Sequence, residues 1–178
     1  MAEIRVTGGE LKGRRLYVPK GGVRPTTGKV REAIFSMLGS VEGASVLDLF
    51  CGSGALGIEA LSRGATQLVL VDTQTAPARR NADDLGLGER AQVIRADALR
   101  FLRRAEQGPF DLILCDPPYE LADRLGADLV PLIPAVLAGG GRVMVETSPD
   151  RPLALGLPVV KERAYGDTLI RIYGSDGT

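Results

Sequence analysis

The 178 residues contain no histidine. That absence excludes imidazole acid–base chemistry, Ser-His triads and His-ligated zinc. Cysteine is almost as scarce. Cys51 and Cys115 sit at the ends of apolar runs, with no CxxC and no metal-like spacing, so they read as small buried thiols and no metal site is expected. No apolar run is long enough to cross a bilayer, and Met1-Ala2-Glu3-Ile4-Arg5 has no secretory apolar region. The expectation is a cytoplasmic, monomeric protein with no membrane partner. Internal repeats and low-complexity stretches are also missing. An apolar content of 44% and a charged content of 25% describe an ordinary globular chain, and its length suits one domain with a sizeable core.

Net charge is zero as well, but the charge is unevenly placed. Residues 1–31 hold eight cations (Arg5, Lys12, Arg14, Arg15, Lys20, Arg24, Lys29 and Arg31) against two acids, Glu3 and Glu10. The segment is therefore +6 and the remainder −6. Such asymmetry points to a polyanion held by one end of the molecule.

What is present in force is Ser45-Val46-Leu47-Asp48-Leu49-Phe50-Cys51-Gly52-Ser53-Gly54-Ala55-Leu56-Gly57. An apolar, β-branched run breaks into glycines and resumes as a helical pattern through Ser62. Strand, glycine turn and helix make the cradle of a nucleotide-binding α/β unit. Gly52 and Gly54 let backbone N–H groups approach a ligand, and Gly57 lets the helix pack close to the strand. Asp72 follows Gly52 by 20 residues, after Gln67-Leu68-Val69-Leu70-Val71, where a ribose-binding carboxylate belongs. Asp48 separates two cofactor classes. A dinucleotide fold places an apolar residue there, whereas a buried carboxylate needs a partner. The ammonium of a methionine moiety, as in S-adenosylmethionine (SAM), is such a partner.

Residues 1–40 read as a basic extension and residues 41–178 as a SAM-binding core. Ile4–Thr7 and Arg15–Val18 are strand-like and form a hairpin. Lys20-Gly21-Gly22-Val23-Arg24-Pro25 is a loop. Gly28–Leu38 is helical, with Val30, Ile34, Met37 and Leu38 on one face and Thr26 or Thr27 as N-cap. Lys29 and Arg31 occupy its first turn, where the macrodipole disfavours cations, so they are expected to face an anion. From Ser45 the chain alternates. Strands over 45–50, 67–71, 91–95, 111–115 and 141–146 are separated by helices over 55–63, 76–85, 99–106 and 122–137, the last interrupted by Pro131 and Pro134. Pro158–Ala164 and Thr168–Tyr173 then form a hairpin around Tyr165-Gly166-Asp167. The expected fold is α/β: a doubly wound, mostly parallel seven-stranded sheet of the class I SAM-methyltransferase type, ending in an antiparallel hairpin.

Asp116-Pro117-Pro118-Tyr119 follows the fourth core strand. In a doubly wound sheet that strand lies beside the first, so the loop faces the glycine cradle. The two prolines stiffen it and leave carbonyl acceptors in fixed positions. Asp116 adds a carboxylate acceptor and Tyr119 a flat aromatic face. Two acceptors and a stacking platform suit a planar base with an exocyclic amine, whose lone pair is then aimed at a methyl group. Asp97-Ala98 offers a carboxylate and an N–H to an adenine, or alternatively a cap for the next helix.

These ordered motifs resemble class I SAM-dependent methyltransferases acting on exocyclic amines. The stretch Arg24-Pro25-Thr26-Thr27-Gly28-Lys29-Val30-Arg31-Glu32, with Gly13-Arg14-Arg15-Leu16 before it, is similar to the bacterial RsmD family. Those enzymes are 16S rRNA guanine-N2 methyltransferases that target guanine 966. The likeness spans essentially the whole chain, through Tyr165-Gly166-Asp167-Thr168. It implies SAM as cofactor, held by Asp48, Phe50, Gly52, Ser53 and Gly54 at the methionine end, Asp72 and Thr73 at the ribose, and Asp97 and Ala98 at the adenine. It implies Asp116, Pro117, Pro118 and Tyr119 as the catalytic set. It implies 16S rRNA, free or in a small-subunit particle, as partner of Arg5, Lys12, Arg14, Arg15, Arg24, Thr26, Thr27, Lys29 and Arg31. Two departures are Cys51, where alanine is common, and Gly28, where a polar residue is usual. The competing expectations are an adenine-N6 DNA methyltransferase, a dinucleotide oxidoreductase and a non-enzymatic RNA-binding assembly factor.

Overall fold

Ile4–Arg5 (β1) and Arg15–Leu16 (β2) pair antiparallel, with Ile4 opposite Leu16. The computed structural model describes residues 4–21 and 25–174. The hairpin expected from sequence is present, with shorter strands. Between them the backbone turns its hydrogen bonds elsewhere: Glu10 N–H reaches Ser62 O and Leu11 N–H reaches the Ser62 hydroxyl. Gly28–Leu38 (α1) follows, capped by the Thr27 side chain, which accepts the Val30 N–H. Gly39 at φ 71° ends it.

The sheet is built from Ser45–Leu49 (β3), Gln67–Asp72 (β4), Ala91–Arg95 (β5), Phe110–Cys115 (β6), Leu137–Thr147 (β7), Val159–Tyr165 (β8) and Thr168–Gly174 (β9). Its order is β5-β4-β3-β6-β7-β9-β8. β3 through β7 run parallel, and β9 pairs antiparallel with both β7 and β8. This is the doubly wound sheet with a closing hairpin that the alternation implies. Ala55–Ser62 (α2), Ala76–Asp84 (α3), Ala98–Arg104 (α4), Ala122–Leu129 (α5) and Ile133–Val136 (α6) connect the strands. β7 starts four residues earlier than its apolar pattern suggests. α6 is only four residues long, and the chain is already extended at Leu137. The glycines that follow, poor helix formers, continue as strand.

Alternation along each strand sends side chains into two cores. Val46, Leu70, Leu112 and Met144 meet Ile34 and Leu38 of α1 and Ile58 of α2. Leu47, Leu49, Ile113 and Val143 meet Leu102, Leu129 and Ile133 on the other face. Each fully buried aliphatic side chain contributes about 1.5–3 kcal/mol. Ile4, Val6 and Leu16 belong to the first core, so the extension is docked on the sheet's helices rather than free.

A buried carboxylate fixes that docking. Glu59 of α2 is fully buried and accepts the Thr7 N–H, the Thr7 hydroxyl and the Gly8 N–H at 2.7–3.2 Å, and the Arg63 Nε–H at 3.0 Å. Arg31 Nε stands 3.6 Å from it, without a hydrogen bond of its own. The other Arg31 nitrogens donate to the Thr26 and Arg5 carbonyls. Arg31 is 1% exposed, and burial lowers its pKa while Glu59 opposes the shift. This corrects the sequence reading of Arg31 as an RNA contact. A first-turn cation does have its anion, but the anion is internal.

Candidate active site

Four adjacent strands end in acids on the carboxyl side of the sheet: Asp72 on β4, Asp48 within β3, Asp116 just after β6 and Glu146 near the end of β7. Cys115 pairs with Val145, so Asp116 and Glu146 leave neighbouring strands side by side. The row stands where ligands sit in open α/β sheets.

The glycine turn frames one side. Phe50 takes φ 58°, a left-handed conformation that costs a non-glycine residue about 1–3 kcal/mol and persists where the surroundings dictate it. Gly54 is left-handed at the start of α2. A Cβ on Gly57 would stand 2.6 Å from Leu68 Cδ1 and 3.0 Å from Asp48 Oδ2, so only glycine lets α2 pack here. Its bare N–H in turn reaches Asp48 Oδ2 at 2.9 Å. Asp48 is 2% exposed, and its pKa is pushed up to about 7, first by burial and then by the Asp72 charge, against the Gly57 hydrogen bond. Asp72 ties the turn to β4 by accepting the Gly52 and Gln74 N–H groups, each at 2.9 Å. Thr73 lies beside it, exposed. Ser53 is held through its carbonyl by Asn81 Nδ2 at 2.8 Å.

Across the switch point, Pro117 is buried, Asp116 and Pro118 are half-buried and Tyr119 is exposed. The Asp116 carboxyl sits deep enough that burial drives its pKa well up; the charges of Glu146 and Asp48 add to this, and a Thr26 hydrogen bond opposes it. Glu146, 5% exposed, is raised too, mainly by burial. Its Oε2 lies 2.8 Å from the Thr26 hydroxyl. The Thr26 hydroxyl is thereby engaged by the end of the carboxyl row. Burial and the nearby carboxylates raise both cysteine thiols, so neither is a nucleophile. Among the described residues no acidic or sulfur cluster is arranged to hold a metal.

Of the two roles open to Asp97, the helix cap is formed. Asp97 caps α4, accepting the Arg100 N–H at 3.0 Å, with Ala98 as the first helical residue. The expected RNA contacts divide. Arg5, Lys12, Arg14, Arg15 and Lys29 are exposed, Thr27 is exposed while serving as the α1 cap, and Arg24 lies outside the described residues. Arg5 and Arg14 also donate to the carbonyls of Gly13 and Asp84. A cleft of about 620 Å³ opens between the hairpin and α1, lined by Arg5, Lys12, Thr26, Thr27 and Glu32 among others.

Three residues the sequence reading passed over hold this arrangement: Glu146, Glu59 and Asn81. Asn81, 1% exposed, accepts the Tyr17 N–H and donates to the Tyr17 and Ser53 carbonyls, joining the extension to the glycine turn. Only Glu146 had a signal, an acid closing an apolar strand run as in Asp48 and Asp116.

Residues 4–174 match the family described as conserved hypothetical protein 95. The chain belongs to this family, the RsmD family. It is 36% identical to ribosomal RNA small subunit methyltransferase D of Escherichia coli K12, over 96% of this chain and 89% of that one. It is 32% identical to the Haemophilus influenzae protein of the same name, over 96% and 93%. A solved hypothetical protein of Thermus thermophilus superposes with a TM-score of 0.83 at 28% identity, over 96% of this chain and 99% of that one. A solved putative methyltransferase of Escherichia coli superposes with a TM-score of 0.83 at 33% identity, over 99% of each chain, and the fold is that of class I SAM-dependent methyltransferases.

Proposed function

We propose that this RsmD-family chain is a SAM-dependent rRNA methyltransferase that acts on the exocyclic N2 of a guanine in 16S rRNA, guanine 966 by family resemblance. The observation that carries the reading is the acidic strand-end row beside an Asp-Pro-Pro-Tyr loop. Asp48, Asp116 and Glu146, raised by burial, have no basic side chain bonded to them among the described residues, and SAM carries two cationic centres. The glycine turn leaves room for it: a Cβ on Gly52 would meet nothing within 4 Å. Asp48, with Phe50, Gly52, Ser53 and Gly54 around it, holds the methionine end. Asp72 and Thr73 hold the ribose. Asp97 and Ala98 face the adenine at the start of α4. When bound, SAM supplies a methyl group already activated on a sulfonium.

The chain's own residues do the rest, mostly by positioning. Asp116 and the Pro117 carbonyl each accept one N–H of the target amine, which turns its lone pair towards the methyl group. Pro118 fixes the turn. Tyr119, exposed at the rim, stacks on a guanine splayed out of an RNA loop. The exposed cations of the extension, with Lys29, follow the RNA backbone along the cleft by the hairpin. Among the described residues no helix is long and apolar enough to cross a membrane, and the reading places the protein in the cytoplasm, as a monomer, on free small-subunit rRNA or an assembly particle. The test is incubation with methyl-labelled SAM and unmodified small-subunit rRNA, followed by nucleoside analysis. N2-methylguanosine is the expected product. Label on adenine N6, or in DNA, overturns the assignment.

A further inference from the structure

Several arginines outside the basic extension find an acid. Arg63 pairs with Glu59, Arg80 with Asp84, Arg90 with Glu10 and Arg171 with Glu162. Arg100, Arg103 and Arg104 of α4 do not. All three are exposed, and among the described residues none is in an ion pair. Their spacing puts them on one face of the helix. Ala98 and Leu102, buried in the second core, hold the opposite face.

The helix gains little from this arrangement. Like charges three and four residues apart repel one another. The macrodipole favours Arg103 and Arg104 in the last turn, but it disfavours Arg100 in the first. Asp97 bonds the Arg100 backbone N–H and forms no ion pair with the guanidinium. Arg31 stands in a first turn as well, and there Glu59 supplies the anion from inside the fold. Arg100 has no such partner among the described residues, so its anion comes from outside.

Two more cations lie by the outer strand. β5 ends the sheet with a free edge. Arg79 from α3 and Arg95 at the end of β5 are exposed there, donating to the Val93 and Thr73 carbonyls. Thr73 directly follows β4, so Arg95 reaches the rim of the carboxyl row. The basic extension packs in the first core and α4 in the second, on opposite faces of the sheet. Between them stand Asp48, Asp72, Asp116 and Glu146, which repel phosphate. A strand that offers one base to this cleft continues in both directions, and each flanking backbone needs cations that the cleft does not provide.

We propose that the arginine face of α4, with Arg79 and Arg95 at the β5 edge, is a second RNA surface that holds the phosphate backbone on the opposite side of the cleft from the basic extension. The proposal rests on the rRNA reading above. Guanidinium forks match phosphate oxygens bidentately, and such contacts fix the register of a strand without reading its bases. The RNA is gripped at both flanks while the target guanine enters between them.

The test is binding of small-subunit rRNA across salt concentrations, for wild type and for Arg100→Gln, Arg103→Gln and Arg104→Gln combined. These side chains are exposed and make no hydrogen bond or ion pair among the described residues, so the variant should keep the wild-type urea midpoint and SAM affinity. Its salt dependence should be shallower by about 0.7–0.9 for each phosphate no longer neutralised, and its RNA affinity at low salt roughly tenfold weaker. Arg100→Gln alone should lose one such increment. Lysine at the three positions keeps the charge and should keep the slope. Adding the glutamine changes at Lys12, Arg14 and Arg15 should flatten the slope further, because separate surfaces add. A wild-type slope in the α4 glutamine variant overturns the proposal and leaves the arginines as guards of the free edge. An equal loss in the lysine variant overturns it too, since charge would not be the cause. If wild type binds this RNA with the two losses additive yet transfers no methyl group, the methyltransferase reading fails and the second surface stands. If wild type binds no RNA, both fall.

Discussion

Two sets of buried carboxyls lie in this molecule, and they are treated in opposite ways. Glu59 sits on the helix side of the sheet among Thr7, Gly8, Arg63 and Arg31, with donors to spare. Asp48, Asp116 and Glu146 line the strand ends with one backbone N–H and one hydroxyl among their contacts, and with each other's charge. Burial alone does not mark a functional acid. A saturated one holds the fold together; an undersupplied one is kept for something that arrives later.

The comparison breaks most visibly at its two extremes. Asp116→Ala should lower single-turnover methylation by about 10²–10⁴-fold, leave SAM affinity within a few fold, and cost no stability in urea unfolding. A variant that transfers methyl groups at near the wild-type rate would place the chemistry elsewhere. Glu59→Ala should do the reverse. It strands the buried Arg31 and three polar groups of residues 7 and 8, and a broken buried pair costs about 3–5 kcal/mol. The urea midpoint should drop accordingly, and an unchanged midpoint would deny Glu59 its structural role.

Smaller effects sharpen the contrast at the RNA side. Tyr119→Ala should weaken RNA binding by about 1–3 kcal/mol, the worth of one stacked base, whereas Tyr119→Phe should be mild. Equal losses would point to the hydroxyl. Replacing Lys12, Arg14 and Arg15 with glutamine should flatten the salt dependence of RNA affinity by about 0.7–0.9 for each phosphate no longer neutralised, with SAM affinity unchanged. Arg31→Gln, although in the same basic segment, should instead act on stability. A wild-type salt slope in the triple variant would move the RNA to another face.

How far the sequence revealed this follows from the range of each signal. The glycine turn, the strand runs and Asp-Pro-Pro-Tyr are local patterns, and the sheet order follows from connection rules. α1 runs over Gly28–Leu38 as its apolar spacing indicates, and of the two threonines the sequence offered as cap, Thr27 is the one used. Pairings across the fold left no local mark. Arg31 and Glu59 are 28 residues apart, and Asn81 reaches Tyr17 over 64. Glu146 meets Asp116 only because β6 and β7 pair in register. Its strand pattern, an apolar run closing in an acid, matches those of Asp48 and Asp116 and was readable in principle.

The carboxyl row's purpose is tested most directly by calorimetric titration of SAM into the protein at a series of pH values. Burial raises Asp48 to about 7, well above an ordinary aspartate. The folded protein therefore holds that proton more tightly than the unfolded chain does, and stability should decline as pH rises from about 4 to about 7. A cationic ligand favours the ionised row, so it must displace the proton below about pH 7. The account predicts SAM affinity that falls by up to about tenfold for each pH unit below 7, with proton release on binding, and a weaker dependence in Asp48→Asn. Affinity that stays flat across this range, or no binding at all, would contradict it.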